Sequence, residues 1–181
     1  MARYVALLRA INVGGHVVSM EQLRAHFTRL GFDDVETFIA SGNVLFTSRS
    51  TAPASLERRI EARLRDALGY DVDTFLRTGP ELDAVAKHKP FEDAHMRAAR
   101  ALNVAFFAEP LDHQSRTRVT GLRTDIDDFH VRGRELYWLC RKSQSRSTFS
   151  NLALEKALGL RSTFRGMNTV RRLADLMKTS R

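Results

Sequence analysis

Cysteine is almost missing from this chain of 181 residues, which contains Cys140 alone. A single cysteine cannot form an internal disulfide, so the sequence excludes the disulfide-rich secreted scaffolds and favours a reducing compartment. No apolar run approaches the ~20 residues that a membrane-spanning helix needs. The apolar stretch after Tyr4 is interrupted at Arg9, too early for the ~7–15 apolar residues of a secretory signal. We therefore expect a cytoplasmic protein with no membrane partner.

Familiar catalytic and metal-binding motifs are also missing from the sequence. The glycines match neither a phosphate-binding P-loop nor a dinucleotide fingerprint. His88, Glu92 and His95 lie close together, but Pro90 interrupts the helix that would align them. We therefore expect no metal and no cofactor. Cys140 has no evident histidine partner, and no Ser-His-Asp pattern stands out, so the sequence leaves open whether the protein is an enzyme.

The net charge of +8 is distributed unevenly along the chain. All of the excess lies in residues 141–181, where ten basic side chains face only Glu155 and Asp175. Such a segment attracts anions, either the phosphates of a nucleic acid or a small acidic ligand. A solvated surface is the alternative, because Arg outnumbers Lys by 24 to 5 in the whole chain and charge clusters usually face solvent.

Strand and helix patterns alternate in the first 78 residues. Strand patterns occupy residues 4–9, 35–40, 44–47 and 72–77. One helix is predicted from Ser19, which has capping-box spacing to Gln22, as far as the stop at Gly31. A second helix is predicted from Pro53 to Gly69. The order β-α-β-β-α-β is that of a ferredoxin-like half.

The second half repeats this order after a domain boundary at residues 78–80, and we divide the chain into 1–78 and 79–181. The predicted elements are a helix at 81–88, a strand at 102–107, a helix at 113–121, a hairpin at 129–140, a helix at 151–158, a strand at 160–164 and a last helix from Asn168 or Thr169. The sequence therefore predicts an α+β fold of two ferredoxin-like halves with antiparallel sheets and a C-terminal helix.

A polar loop at residues 9–15 is the first candidate ligand-binding element. Arg9 and Asn12 supply directional hydrogen-bond donors, and Gly14 and Gly15 let a ligand approach the backbone closely. The loop lies between a strand and a helix start, where anions are favoured. Taken alone, it is better explained as a tight turn in which Asn tolerates an unusual backbone angle.

A second polar loop consists of Ser41, Gly42 and Asn43 between two strands. Alone, it too is best explained as a hairpin turn. In a ferredoxin-like half, however, the first and third strands are antiparallel neighbours. The end of the first strand then lies beside the start of the third. We therefore expect the two loops to converge at one edge of the sheet and to form one candidate site.

The C-terminal quarter contains two further polar segments. Residues 141–150 combine four serines with three basic residues, which can bind phosphate but are also typical of a solvated loop. Arg165 precedes a predicted helix start at Asn168. These two residues are either a third anion-binding element or an ordinary helix cap.

Several of these segments resemble one bacterial family, known as domain of unknown function 1697. The resemblance rests on the segments 6–15 and 41–46, Met20 with Leu23-Arg24, Gly31-Phe32, Lys89-Pro90-Phe91, the serine-rich loop, Leu154-Glu155-Lys156 with Leu158-Gly159, and the pattern T-x-R-x-x-N-T-V at 163–170. It extends over nearly the whole chain and implies the same fold of two ferredoxin-like halves. It implies no activity.

The resemblance also assigns motif positions and exposes departures from the family. The motif residues that it carries over are Arg9, Asn12, Gly14, Gly15, Ser41, Gly42, Asn43, Arg165 and Asn168. The family usually has glycine where Ala10 stands, a lysine near Thr148, and Asn-Trp where Gly166-Met167 stand. The last three departures put a site near the C-terminal motif in doubt for this chain.

Two functions follow from these features. The first is binding of a small anionic or carbonyl-bearing ligand by the two loops, and binding is favoured over catalysis because no general base is evident. The second is binding of a nucleic acid or an acidic partner through Arg141, Lys142, Arg146, Arg161, Arg165, Arg171 and Arg172. An interaction domain without a ligand is a third possibility, and the sequence leaves the oligomeric state open.

Overall fold

The first half of the chain folds into the predicted alternation of strands and helices. The protein was analysed as a computed structural model, which describes residues 1–40 and 42–179. In chain order, the elements are β1 (Ala2–Leu8), α1 (Met20–Arg29), β2 (Asp33–Thr37), β3 (Asn43–Ser48), α2 (Pro53–Leu68) and β4 (Thr74–Thr78). The strands form an antiparallel sheet in the order β2-β3-β1-β4. β1 and β3 are therefore its central strands.

Capping and apolar periodicity account for α1 and α2. The N–H of Gln22 donates to Ser19 Oγ at 3.1 Å, and the N–H of Ser19 donates to Gln22 Oε1 at 3.0 Å, which is the predicted capping box. α2 begins at Pro53 and ends at Leu68, and its C-cap, Gly69, is left-handed with a φ of 79°. Both helices bury one apolar stripe in the core of this half: Leu23, Phe27, Leu56, Ile60 and Leu64.

Strand β2 differs from its predicted range of 35–40. It begins at Asp33 and ends at Thr37. Pairing with β3 ends at Thr37, and Ile39 has a φ of 51°, far from the extended values of a regular strand. The chain therefore leaves the sheet before Ile39, and the loop that leads into β3 is longer than the alternation of side chains indicates.

The second half repeats the order of the first, as predicted. Its elements are α3 (Gly79–Lys87), α4 (Asp93–Ala98), β5 (Ala101–Phe106), α5 (His113–Thr120), β6 (Asp127–Arg132), β7 (Glu135–Cys140), α6 (Asn151–Leu158), β8 (Thr163–Gly166) and α7 (Met167–Thr179). The sheet is antiparallel with the order β6-β7-β5-β8. The α+β fold of two ferredoxin-like halves with a C-terminal helix is thus confirmed.

Strand β8 begins three residues later than its predicted start at Leu160. Gly159 ends α6 in a left-handed conformation with a φ of 67°. Leu160 is then exposed, and Ser162 is fixed because its N–H donates to Glu155 Oε1 at 2.9 Å. Pairing with β5 starts only at Thr163.

Glutamates of the helices cover the edge strand β4. The N–H of Thr74 donates to Glu61 Oε1, and the N–H of Leu76 donates to Glu57 Oε1, both at 2.9 Å. Unpaired strand N–H groups invite pairing with another chain. Side-chain acceptors at these two positions therefore protect this edge.

The chain groups into two compact units. One contains Met1–Asp83 together with the residues from Arg172 on, and the other contains Ala84–Arg171. The division of the sequence into 1–78 and 79–181 stays a prediction, and the C-terminal part of α7 groups with the first unit. Among the described residues, none of the helices has both the length and the apolar character needed to cross a membrane.

Candidate functional site

Arg9 fixes the start of the first loop at the end of β1. Its N–H donates to the carbonyl of Asp73 at 2.9 Å. Its guanidinium Nη1 lies 3.7 Å from Asp73 Oδ2. Backbone and side chain thus both attach Arg9 to the residue that precedes β4, and the charge of Arg9 already has a partner.

Asn12 holds the first loop closed and joins it to the second. Its Oδ1 accepts a hydrogen bond from the N–H of Val18 at 2.6 Å, and its Nδ2 donates to the carbonyl of Ala40 at 3.1 Å. Its φ of 59° is one that asparagine tolerates better than most residues. Asn12 therefore links two chain segments through its side-chain hydrogen bonds.

Asn43 and Gly42 shape the second loop from inside. Asn43 is buried and pairs with Leu7 across the central strands, and its Nδ2 donates to the carbonyl of Phe38 at 2.9 Å. The N–H of Leu8 donates to the carbonyl of Gly42 at 2.9 Å. A Cβ on Gly42 would collide with the side chain of Ile11. Ser41, the remaining predicted member, lies outside the described residues.

The two loops meet, as strand order predicts. We call residues 9–15, 38–40 and 42–43 the paired loops. The hydrogen bonds from Leu8 to Gly42 and from Asn12 to Ala40 join them directly. They meet where β1 ends and β3 begins. These are the two central strands, so the meeting point does not lie on an outer strand of the sheet.

The backbone of the paired loops is strained. Non-glycine residues with positive φ in the described chain are Ala10, Asn12, Asp34 and Ile39. Three of these four lie in the paired loops, and Ile39 is β-branched, for which this conformation is a genuine outlier. Ala10 has a φ of 54°, which explains why the family usually carries glycine at this position.

The tip of the first loop is open to solvent. Gly14 and Gly15 have positive φ and are exposed, and a Cβ on either would meet nothing within 4 Å. Within residues 1–40 and 42–179, no hydrogen bond uses the N–H of either glycine. Beyond them, the His16 ring lies on Tyr70 with 4.0 Å between centroids. The tip therefore presents two backbone donors to solvent.

Exposed apolar side chains occur in the same chain segments as these donors. Large apolar side chains exposed in the described chain are Met1, Val13, Val17, Ile39, Leu152 and Leu160. Val13 and Ile39 belong to the paired loops, and Val17 lies two residues after Gly15 and three residues before the start of α1. Scattered exposed apolar residues need no explanation, but a local concentration marks a contact surface.

Arg165 and Asn168 belong to the second unit. Arg165 is buried, and its Nη1 donates to Thr163 Oγ1 and to the carbonyl of Phe164, both at 2.8 Å. Burial lowers the pKa of Arg165 to about 10. Asn168 is exposed and accepts a hydrogen bond from Arg171 at 3.4 Å. A ligand-binding role for these two residues stays a prediction.

The basic residues of the C-terminal quarter have different environments. Arg161 lies 3.8 Å from Glu155, and the guanidinium of Arg172 lies 4.7 Å from the centre of the Phe38 ring. Arg141, Lys142 and Arg146, by contrast, line one cavity. The sequence identified the charge, but it does not show which of these cations share a surface.

The sequence does not predict two polar contacts in the second unit. His88 Nε2 and His130 Nε2 lie 3.1 Å apart, and burial lowers the pKa of both rings. Asp127 is buried and accepts hydrogen bonds from Trp138 Nε1 at 2.8 Å and from Ser147 Oγ at 2.8 Å. Asp127 precedes the predicted hairpin at 129–140, so the strand pattern does not include it.

The environment of Cys140 disfavours a reactive thiolate. Cys140 is buried at the end of β7, and its Sγ donates to the carbonyl of Lys142 at 3.0 Å. Burial raises its pKa, which keeps the thiol protonated. A nucleophilic role has no support from this environment.

Comparison with known proteins agrees with the fold and names a family. A solved structure described as conserved bacterial protein SP0830 from Streptococcus pneumoniae is 26% identical, with a TM-score of 0.78, over 98% of this chain and 99% of that chain. No curated protein matches the chain. The model of the family described as protein of unknown function DUF1697 matches residues 1–137. The chain, which also carries the motif residues of the paired loops, therefore belongs to the DUF1697 family.

Proposed function

We propose that this protein binds a small molecule that carries a carbonyl or carboxylate group, and that the paired loops form the binding site. The observation that carries the proposal is the strain at Ala10, Asn12 and Ile39. Each such residue costs of the order of 1–3 kcal/mol, and such conformations cluster at ligand sites. A loop that only connects two strands does not require three residues in this conformation.

Backbone geometry supports an oxygen-bearing ligand. Ala10, Asn12 and Gly14 have positive φ and alternate with residues that lack it, and Gly15 directly after Gly14 again has positive φ. Alternation of left- and right-handed conformations turns successive N–H groups toward one point and makes a concave site for anionic or carbonyl oxygen. The N–H groups of Gly14 and Gly15 would donate to that oxygen.

Charge and apolarity narrow the ligand class. Because Arg9 is already paired with Asp73, the site has little net positive charge to offer a polyanion. Val13 and Val17, which flank the two glycines in sequence, and Ile39 in the second loop expose apolar surface. A ligand with one carboxylate or carbonyl group and a short apolar chain fits this combination best.

Binding is favoured over catalysis because the side chains of the site have structural tasks. Arg9 contacts Asp73, Asn12 bridges Val18 and Ala40, and Asn43 supports Phe38. A general acid or base needs a side chain within reach of the ligand that is not engaged in this way. We also propose a cytoplasmic location, which the single, buried Cys140 favours.

A thermal-shift experiment with matched glycine variants tests the proposal. The probes are acetate, 2-oxobutanoate and hexanoate. Methyl groups at Gly14 and Gly15 would cover the two donors, whereas Gly31 and Gly69 have the same positive φ and equally open surroundings elsewhere in the first unit. We expect a probe at about a hundredfold excess over its Kd to stabilise the wild-type protein by ~2.7 kcal/mol.

The double variant G14A/G15A should lose this stabilisation, and G31A/G69A should keep it. Both variants carry the same backbone penalty, so a difference between them reports on ligand contact rather than on stability. Equal stabilisation of both variants, or no stabilisation of the wild-type protein by any of the probes, would rule out the proposed site.

A further inference from the structure

A cavity in the second unit is lined almost entirely by polar and basic residues. Its volume is about 790 Å³, and its lining residues are Arg100, Ala101, Arg141, Lys142, Ser143, Gln144 and Arg146. Four of the seven are basic, and no carboxylate is among them. The volume lies within the ~300–1,000 Å³ that is typical of small-molecule sites.

Three of the four cations have no acidic partner among residues 1–40 and 42–179. Arg141 Nη2 lies 3.6 Å from Asp128 Oδ2, and Asp128 is also paired with Arg123 at 2.7 Å. For Arg100, Lys142 and Arg146, no ion pair exists with any described residue. A concave surface with uncompensated charge of one sign concentrates anions.

The loop that carries these cations is held in place at both ends. The N–H of Arg141 donates to the carbonyl of Ile126 at 2.8 Å. Six residues later, Ser147 Oγ donates to the buried carboxylate of Asp127 at 2.8 Å. A fixed backbone lowers the entropy that a ligand would lose on ordering the loop, and this favours binding over a solvated loop.

Phosphate is the anion that these groups fit best. Arginine presents a planar fork of donors that matches phosphate oxygens, lysine adds a compact charge, and Ser143 and Gln144 add neutral hydrogen-bonding groups. Several cations in one cavity match several phosphate charges on one molecule. No aromatic ring lines the cavity, whereas single-stranded nucleic acids are usually bound with bases stacked on aromatic side chains.

We propose that this cavity binds a small molecule with two or more linked phosphate groups. The site lies in the second unit and includes no residue of the paired loops. This proposal can therefore be tested independently of the function proposed above. Residues 141–146 of the basic segment line this cavity together with Arg100. Arg100 lies outside the C-terminal quarter, so the charge excess of that quarter does not identify it.

Calorimetric titration of the full chain with inorganic tripolyphosphate tests this proposal. We expect saturable binding with one site per chain. The variant K142Q/R146Q should weaken it by roughly tenfold or more, which is the loss of at least one charge-assisted hydrogen bond. The variant R118Q/K156Q removes one Arg and one Lys from exposed positions of the same unit outside the cavity and should leave the affinity within about threefold.

Three outcomes would overturn the proposal. Absence of saturable binding to the wild-type protein removes the site. Equal weakening by both double variants shows attraction to the overall charge alone. Binding of a single-stranded RNA more than about tenfold tighter than tripolyphosphate, with the same dependence on Lys142 and Arg146, assigns the surface to nucleic acid instead.

Discussion

Ala10 shows how one backbone angle can explain a family pattern. Its φ of 54° is left-handed, and its side chain is exposed. A left-handed conformation costs a non-glycine residue roughly 1–2 kcal/mol. Glycine removes this penalty, although it also gives the unfolded chain more freedom.

We therefore expect A10G to raise the free energy of unfolding by about 0.5–1 kcal/mol. The matched control is Ala62, which is exposed within the right-handed helix α2. A62G should lower the free energy of unfolding by roughly 0.5–1 kcal/mol. Urea denaturation of both variants measures the two changes. The same sign for both would show that Ala10 is not strained.

At the scale of elements, the close approach of two loops depends on Gly42. Its φ is 78°, a Cβ at this position would collide with the side chain of Ile11, and it would lie 3.1 Å from Leu8 Cβ. Gly69 has nearly the same φ, 79°, but no atom within 4 Å of an added Cβ. Comparing alanine substitutions at these two glycines therefore distinguishes the cost of backbone strain from the cost of steric conflict.

G69A should destabilise the protein by roughly 1 kcal/mol, because only the backbone is strained. G42A should destabilise it by roughly 2–4 kcal/mol, because overpacking against Ile11 is added to the same strain. Chemical denaturation monitored by circular dichroism compares them. If G42A is no more destabilised than G69A, the loops do not pack as described.

The order of the elements could be predicted because its signals are local. The capping box at Ser19, the stop at Gly69 and the apolar stripes of the helices are all read within one or two turns. Strand order then followed from the fold, and with it the meeting of Gly42 with the end of β1. Topology therefore predicted the position of the candidate site without any distance.

Contacts between distant side chains could not be predicted in this way. His88 and His130 are 42 positions apart, and Ser147 lies 20 positions from Asp127. Neither hydrophobic periodicity nor turn chemistry carries information about such pairs. The same limit applies to Ile39, whose positive φ contradicts the preference of a β-branched residue.

At the scale of the whole molecule, half-buried histidines couple stability to pH. Burial and the nearby cations Arg132, Arg116 and Arg123 lower the pKa of His130, which Asp128 partly opposes, and burial, Arg132 and His130 lower the pKa of His88. A lowered pKa in the folded state means that the unfolded chain binds more protons below about pH 6.5. Stability from this pair is therefore present above that pH and is lost as the pH falls.

We expect the free energy of unfolding to decrease between about pH 7.5 and about pH 5.5, and the slope to be smaller in the variant H88Q/H130Q. His26, whose pKa is also lowered by burial and by Arg63 and Arg29, contributes a remaining slope of the same sign. Urea denaturation at several pH values measures this dependence. Stability that increases on acidification over this range would contradict the lowered pKa values.

The central claim is that the backbone N–H groups of Gly14 and Gly15 bind the oxygen of a ligand. Nuclear magnetic resonance of the ¹⁵N-labelled chain, titrated with hexanoate, tests it most directly. We expect saturable downfield shifts of both amide protons with one common affinity, and no such shifts at Gly31 and Gly69. Unchanged Gly14 and Gly15 resonances up to a concentration at which hexanoate stabilises the protein would contradict it.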